Sequence, residues 1–342
     1  MAENHPVVSI ITPTFNHGKY LVECIRSVCN QSFRNWELLI LDDGSTDETP
    51  IIAKKYCEAD PRIQYHRQEN IGIFRLAETY NKGLKLAKGE FIAILEGDDY
   101  WVSNKLELQA NYLQSNPACV LSWGQAQSIN SESGHIYGIY PSLTDTESKY
   151  FNNNPVGSIL NIFYFNNCIP ALSMLIRKNA LLQIGGFKQP YNLPLVDIPT
   201  LYELALIGEF NFIPQPLGSW RIYASQVTKT YTAQIMEGFH TLAITAFTEH
   251  SRLNSFDFSV TVRKLKQHYR RQRIIAYSRA GRYKLIRKEF NNARKDYMKS
   301  ISIGYLQEPL WKLRSLIGII FSLFHRDVES FSKFLGKKSY TQ

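Results

Sequence analysis

Hydrophobic positions along this chain follow two alternating patterns. Short apolar, β-branched runs at residues 7–11, 36–41, 63–66 and 91–95 predict strands buried on both faces. Between them, apolar residues return every three or four positions. Tyr20, Leu21, Cys24, Ile25 and Val28 predict a helix over 19–32, residues 49–59 form a second, and Leu76, Tyr80, Gly83, Leu84 and Ala87 line one side of a third over 76–87. The Ser/Thr/Asp cluster after residue 41 offers N-caps to the second helix, Pro13 is expected to stop the first strand, and Asn70-Ile71-Gly72 predicts a turn. Strand and helix alternate four times with short connections, which predicts an α/β fold with a parallel sheet covered on both faces.

Further along, residues 120–123 and 172–176 are strand candidates around a polar stretch, 128–155, rich in Ser, Asn, Gly and Tyr. A helix over 199–207 and a strand and turn over 212–217 follow. From residue 231 the pattern is helical. Residues 276–304 read as two helices joined by a turn at Ala280-Gly281-Arg282, with Leu285, Ile286, Phe290, Ala293 and Tyr297 inward. The last apolar stripe is Leu310, Trp311, Leu313, Leu316, Ile317, Ile320, Phe321 and Phe324, flanked by Lys312, Arg314, His325 and Arg326. Either a core-facing helix or one lying on a membrane surface has this pattern.

The chemistry concentrates at strand ends. In a parallel sheet, ligands sit beyond the C-terminal ends of the strands. Three such ends carry Thr12-Pro13-Thr14-Phe15-Asn16, Asp42-Asp43 and Glu96-Gly97-Asp98-Asp99. A single acidic turn is explained by strand termination alone. Adjacent buried carboxylates on one sheet edge repel each other and call for a cation or for hydrogen-bond donors.

Composition narrows the class. The chain has 342 residues, 44% hydrophobic and 20% charged, as a globular protein does, and its net charge of +9 is unevenly spread. Residues 1–260 carry 19 Lys+Arg against 25 Asp+Glu, whereas residues 261–342 carry 20 against 5. Such a basic segment fits an anionic surface, and no nucleic-acid motif accompanies it. Five cysteines without CxxC spacing suggest neither a disulfide framework nor a zinc site. The N-terminus lacks a signal-peptide pattern and no run reaches the roughly 18 apolar residues that span a bilayer, so a cytoplasmic location is expected, with peripheral contact on the inner face of the membrane if the basic helices dock there.

Taken in order, Val8 to Asn16, Asp42-Asp43-Gly44-Ser45-Thr46-Asp47, Asn70-Ile71-Gly72 with Asn81, Lys88-Gly89-Glu90 and Glu96-Gly97-Asp98-Asp99 resemble the family 2 glycosyltransferases. The resemblance implies a GT-A fold, a nucleotide-diphospho-sugar transferase sandwich over residues 1–230, with a nucleotide-binding part at about 1–115 and an acceptor-binding part at about 116–230. A basic, mostly α-helical C-terminal extension, 231–342, lies outside it. By position in the motifs, Thr12, Phe15 and Asn16 would lie at the nucleotide pocket, with Phe15 against the base. Asp43 would accept a hydrogen bond from the base, Asp98 would contact the ribose, and Asp99 would ligate a divalent cation, magnesium or manganese, bridging the diphosphate. Glu96 replaces the family's usual Asp.

Asp197 follows Gly185-Gly186-Phe187 and opens a helix, where the family places the catalytic base of an inverting transfer; a plain helix N-cap is the alternative. Val196 stands where the family has a second acid. Arg221, in the segment 220–228, would pair with phosphate or form a structural ion pair, and Tyr223 stands where a His is frequent. The implied activity moves a sugar from a nucleotide-sugar, commonly a UDP-sugar, to a glycan or lipid-linked acceptor hydroxyl in assembly of a bacterial surface polysaccharide or glycolipid. Two rivals remain from the residues alone. A sugar nucleotidyltransferase would need a Gly-rich basic phosphate loop that 12–19 lacks, and a non-catalytic sugar-nucleotide-binding or scaffold protein would share the pocket without turnover.

Overall fold

The computed structural model describes residues 5–143, 145–190, 192–223, 226–253, 260–304 and 306–326. Two compact units emerge, one built from the chain up to Pro190 together with Leu195–Ile222, the other from the helices after Tyr223.

The first unit is organised by one nine-stranded sheet. β1 (Val8–Thr14), β2 (Trp36–Asp42), β3 (Ile63–Arg67) and β4 (Phe91–Ile94) form its parallel part, and α1 (Gly18–Cys29), α2 (Thr49–Ala59) and α3 (Leu76–Leu86) connect them. β1 lies between β2 and β4, and every one of its residues is buried. That explains its sequence, a continuous apolar run in place of an alternating one. Pro13 does not stop the ladder as expected. It lacks a donor, but its carbonyl accepts from Gly97 N at 3.2 Å, and the carbonyl of Thr14 accepts from Asp43 N at 2.9 Å. Pairing therefore reaches Thr14, opposite Asp42.

Beyond β4 the sheet departs from the all-parallel expectation. β5 (Tyr100–Trp101), β6 (Cys119–Asn130), β7 (Ile136–Tyr140), β8 (Leu175–Arg177) and β9 (Glu209–Ile222) complete the order β3-β2-β1-β4-β8-β6-β9-β5, with β7 on β6. β8 runs antiparallel to β4 and to β6, while β6 and β9 run parallel through repeated register shifts. The polar stretch 128–155 thus contains the end of β6 and all of β7, which pairs back on β6 as a hairpin. α4 (Lys105–Ser115) buries Leu106, Ala110 and Leu113 with the underside of the sheet, and α5 (Asp197–Leu204) follows the Gly185-Gly186 turn.

The second unit holds α6 (Thr232–His250), α7 (Val262–Ile286), α8 (Phe290–Ser302) and α9 (Pro309–Leu323). The turn expected at Ala280-Gly281-Arg282 is absent, because α7 runs through it to Ile286. Gly281 is a contact and not a break. A Cβ there would stand 2.7 Å from the Tyr297 ring, and one at Gly318 would stand 2.3 Å from Tyr297 Cζ, so both glycines make room for one buried tyrosine among three helices. Ser300 Oγ donates to Ile274 O at 2.8 Å and Ser315 Oγ to Ser300 Oγ at 3.1 Å across the same seam. Among the described residues no helix is long and apolar enough to cross a membrane.

Candidate functional site

The acidic loop after β4 is held by its neighbours in the sheet. Leu95 N donates to Ile11 O and Gly97 N to Pro13 O, which extends the β1–β4 ladder into the loop and fixes Glu96 and Asp98 on either side of Gly97. Only glycine fits there, since a Cβ would stand 2.6 Å from Thr14 Oγ1 and 2.8 Å from His17 Nδ1. Glu96, Asp98 and Asp99 each offer a carboxylate oxygen within 4.8 Å of the others. His17 Nδ1 comes to 4.0 Å from Asp98 Oδ1. Neither His17 Nδ1 nor Thr14 Oγ1, both buried beside Gly97, has a hydrogen-bond partner.

Electrostatics mark the cluster as short of positive charge. Burial, with Asp98 and Asp197 adding, pushes the Glu96 carboxyl up to about 7, although the Tyr80 hydroxyl donates to it at 3.1 Å. Burial also holds Asp99 well above the usual carboxylate range, and Asp98 and Glu96 raise it further. Oxygen donors packed this way suit a hard divalent cation such as magnesium or manganese, and the two orphaned polar atoms beside them give a bound group further partners. These residues fit the cation that the resemblance implies, with all three carboxylates in reach and not Asp99 alone.

Asp197 is the first residue of α5, one position inside the N-cap residue Val196, and backbone amides at the helix start bond its carboxylate. Its Oδ2 accepts from Asn167 Nδ2 at 2.7 Å. Burial raises its carboxyl above the usual range, against the amide groups at the helix start and the Asn167 amide, and its charge is felt at Glu96. Asp197 and the acidic loop therefore lie near enough for their charges to interact. Asn167 is itself fixed, since its Oδ1 accepts from Ile169 N at 3.0 Å and its carbonyl accepts from the Tyr140 hydroxyl.

The remaining expected residues separate. Phe15 is 45% exposed, as a surface offered to a base must be. Asn16 has φ +54° and binds the loop after β2, its Oδ1 accepting from Thr46 N at 2.8 Å and its N donating to Ser45 Oγ at 2.9 Å. Asp43 folds the Asn70-Ile71-Gly72 turn onto itself, accepting from Gln68 Nε2, Ile71 N and Gly72 N at 2.9, 3.0 and 3.0 Å. Of a carboxylate's roughly four acceptor positions, about one is left for a base. Thr12 is wholly buried in the central strand and presents no surface to a ligand.

Arg221 realises the ion-pair alternative. Its guanidinium, 4% exposed, pairs with Glu23 and donates to the Asp98 carbonyl, and it lies 5.0 Å over the Tyr20 ring and 4.9 Å over the Tyr100 ring. Its backbone N donates to Asp99 Oδ1 at 3.0 Å. In this arrangement Arg221 buttresses the acidic loop from behind. Tyr223 is described, whereas Ala224 and Ser225 of the expected 220–228 segment lie outside the described residues.

The sequence marks Asn81 by motif and Tyr80 by helical period but not the contacts they make. Asn81 clamps the Gly185-Gly186-Phe187 turn, donating to Phe187 O at 3.0 Å and accepting from Phe187 N at 2.8 Å, and Tyr80 meets the Phe187 ring at 5.1 Å while bonding Glu96. Two adjacent residues of α3 thus tie the Gly185-Gly186-Phe187 turn to the acidic loop. Asn167 has no motif around it and is found only through its contact with Asp197.

The profile of the family Glycosyl transferase family 2 matches residues 9–175. This chain carries a family 2 glycosyltransferase domain. Glycosyltransferase GlyG of Streptococcus pneumoniae serotype 4 is 34% identical to it over 131 residues, 38% of this chain and 42% of that protein. The putative teichuronic acid biosynthesis glycosyltransferase TuaG of Bacillus subtilis is 39% identical over 119 residues, 34% of this chain and 46% of that protein. The chain matches less than half the length of each of these relatives. Among solved structures, S. aureus TarS 1–349 in complex with UDP-GlcNAc aligns with a TM-score of 0.51 at 16% identity, over 96% of this chain and 92% of that one. The mannosyltransferase PcManGT of Pyrobaculum calidifontis, with GDP-Man and Mn2+, aligns at 0.53 and 14% identity, over 94% and 88%. The transferase domain has the GT-A α/β fold, with a helical C-terminal region after it.

Proposed function

We propose that this chain is a metal-dependent, inverting glycosyltransferase that moves a sugar from a nucleotide-sugar, a UDP-sugar in the first instance, to an acceptor hydroxyl. The observation that carries the reading is the proximity of an acidic cluster short of positive charge, Glu96, Asp98 and Asp99, to a separately held carboxylate, Asp197, whose charge acts on Glu96. Asp99, with Glu96 and Asp98, would hold the cation, and that group when bound neutralises charge on the departing diphosphate. Phe15 packs against the base, the last acceptor position of Asp43 takes a base N–H, and Asp98 remains near enough to the cluster to serve ribose or cation. Asp197 removes the proton of the acceptor hydroxyl as its oxygen attacks the anomeric carbon opposite the leaving diphosphate. A single base suffices for such a displacement, which inverts the configuration. Residues 1–115 then serve the nucleotide and 116–230 the acceptor.

The naming of TuaG for teichuronic acid biosynthesis supports an acceptor within a bacterial surface polysaccharide or glycolipid, glycan or lipid-linked. A cytoplasmic enzyme working at the inner face of the cell membrane fits that substrate, with 231–342 as the contact. The test is a screen of UDP-, GDP- and dTDP-sugars for manganese-dependent binding and hydrolysis. Binding and turnover of a UDP-sugar that a chelator abolishes is the expected result. Binding and hydrolysis unaffected by chelator would overturn the metal assignment, and donor binding without turnover on any acceptor would favour a scaffold.

A further inference from the structure

Among the described residues, the second unit presents an apolar face that none of its helices covers. Along α9 and the residues before it, Leu306, Leu310, Leu313, Ile317, Ile320 and Phe324 recur at intervals of four and three, and Leu306, Leu310 and Phe324 are 84%, 79% and 73% exposed. The helix is packed the unusual way round. Its buried positions are the small Ser315, Gly318 and Ser322, with Gly318 closed onto Tyr297, and although Ile319 and Phe321 pack against the Tyr297 cluster, most of its large side chains lie on the outside. Leu316 and Leu323 widen the stripe beyond a two-per-heptad seam.

The rim is basic. Arg279 and Arg314, both exposed, stand 5.4 and 5.1 Å over the Trp311 ring at the margin of the stripe, and exposed Arg326 follows the end of α9. The acidic side chains of the described residues 260–326 are Glu289, Asp296 and Glu308. Each is already engaged within the unit, with Arg287 at 3.5 Å, Lys284 at 2.7 Å and Arg271 at 2.7 Å. A second copy would bring like charge to this rim and no acidic partner to set a register, whereas an anionic bilayer offers both hydrocarbon and negative charge.

We infer that the exposed face of α9 docks on an anionic lipid bilayer, with Leu310, Leu313, Ile317 and Ile320 entering the acyl boundary and the arginine rim meeting lipid phosphates. The inference deepens the peripheral position proposed above. It is read without donor or acceptor, so its failure leaves the transferase reading standing, and failure of that reading leaves vesicle binding untouched.

Sedimentation of the full chain with vesicles tests it. With phosphatidylcholine vesicles containing about one-third phosphatidylglycerol, partitioning is expected to exceed that on pure phosphatidylcholine by about tenfold and to weaken in high salt. Leu313→Glu/Ile320→Glu, both at exposed positions, should reduce it by about tenfold with an unchanged melting temperature. Should that pair unfold, Leu310→Ser is read in its place, with a smaller loss expected in the same direction. No partitioning of the wild type onto anionic vesicles overturns the inference, as does a charged variant that partitions equally well. So does a wild-type oligomer that the variant dissociates while vesicle binding is unaltered, which would make the face an interface between copies.

Discussion

Asn167 Nδ2 donates to Asp197 Oδ2 at 2.7 Å, across 30 residues of sequence, and both atoms lie in a partly buried setting. The bond selects one orientation of the carboxylate and favours its charged form, against the burial that raises its pKa.

If Asp197 is the base, Asp197→Asn lowers turnover by about 100-fold or more, the range a positioned general base supplies, with nucleotide-sugar binding retained. Asn167→Ala removes a donor to the anion, so the Asp197 pKa climbs further and the acid limb of the pH–rate profile moves to higher pH. Turnover at neutral pH then falls by about tenfold, the worth of one charge-assisted hydrogen bond. Initial rates across pH with both variants check this, and an unshifted acid limb in Asn167→Ala would reduce the asparagine to a packing role.

Glu96 gives a stability prediction with a definite sign. Its carboxyl titrates at about 7 in the fold against 4.5 when unperturbed. The folded state therefore keeps its proton through that window while the unfolded chain releases it, and stability present below pH 4.5 is lost as pH rises through 7. Glu96→Gln should raise stability above pH 7 by about 1–2 kcal/mol, after allowance for solvent screening, with no gain in acid. Urea unfolding of metal-free protein at the two pH values reads it, and equal effects at both would refute the assignment.

Lys105 runs the other way. It is fully buried under the sheet, donates to Gln109 Oε1 at 2.7 Å and Met174 O at 3.2 Å, and lies 4.2 Å over the Trp101 ring, yet burial drives its pKa well down. Between its lowered folded-state pKa and 10.5 the unfolded chain binds the proton more readily than the fold does, so the fold gains stability as pH rises across that window. Lys105→Met should stabilise by about 1–2 kcal/mol at neutral pH, since a desolvation cost is removed while Gln109 loses a partner. Near pH 10 the gain should vanish or reverse. Chemical denaturation at both pH values decides, and a pH-independent effect would contradict it.

The run of strands and helices up to Asp99, the acidic tip of β4, the helix after the glycine turn and the basic helical end were all legible from the residues. Each is specified locally, by a period of two or 3.6 or by a strand running into carboxylates, and local patterns survive any arrangement of the rest. What only the tertiary structure decided involves partners far apart in sequence. Arg221 meets Glu23, 198 residues away, and that contact, with the one to the Asp98 carbonyl, commits the guanidinium to an ion pair beside the acidic loop. Asp43 is largely committed to a turn that begins 27 residues later. Gly281 reads as a breaker and serves as a socket, since a glycine's missing Cβ permits a turn and close packing alike, and the choice belongs to Tyr297. Likewise the stripe on α9 could be read as a face but not as an outward one. Periodicity says that large side chains share a side, and only the packing of Ser315 and Gly318 against the other helices turns that side to the surface.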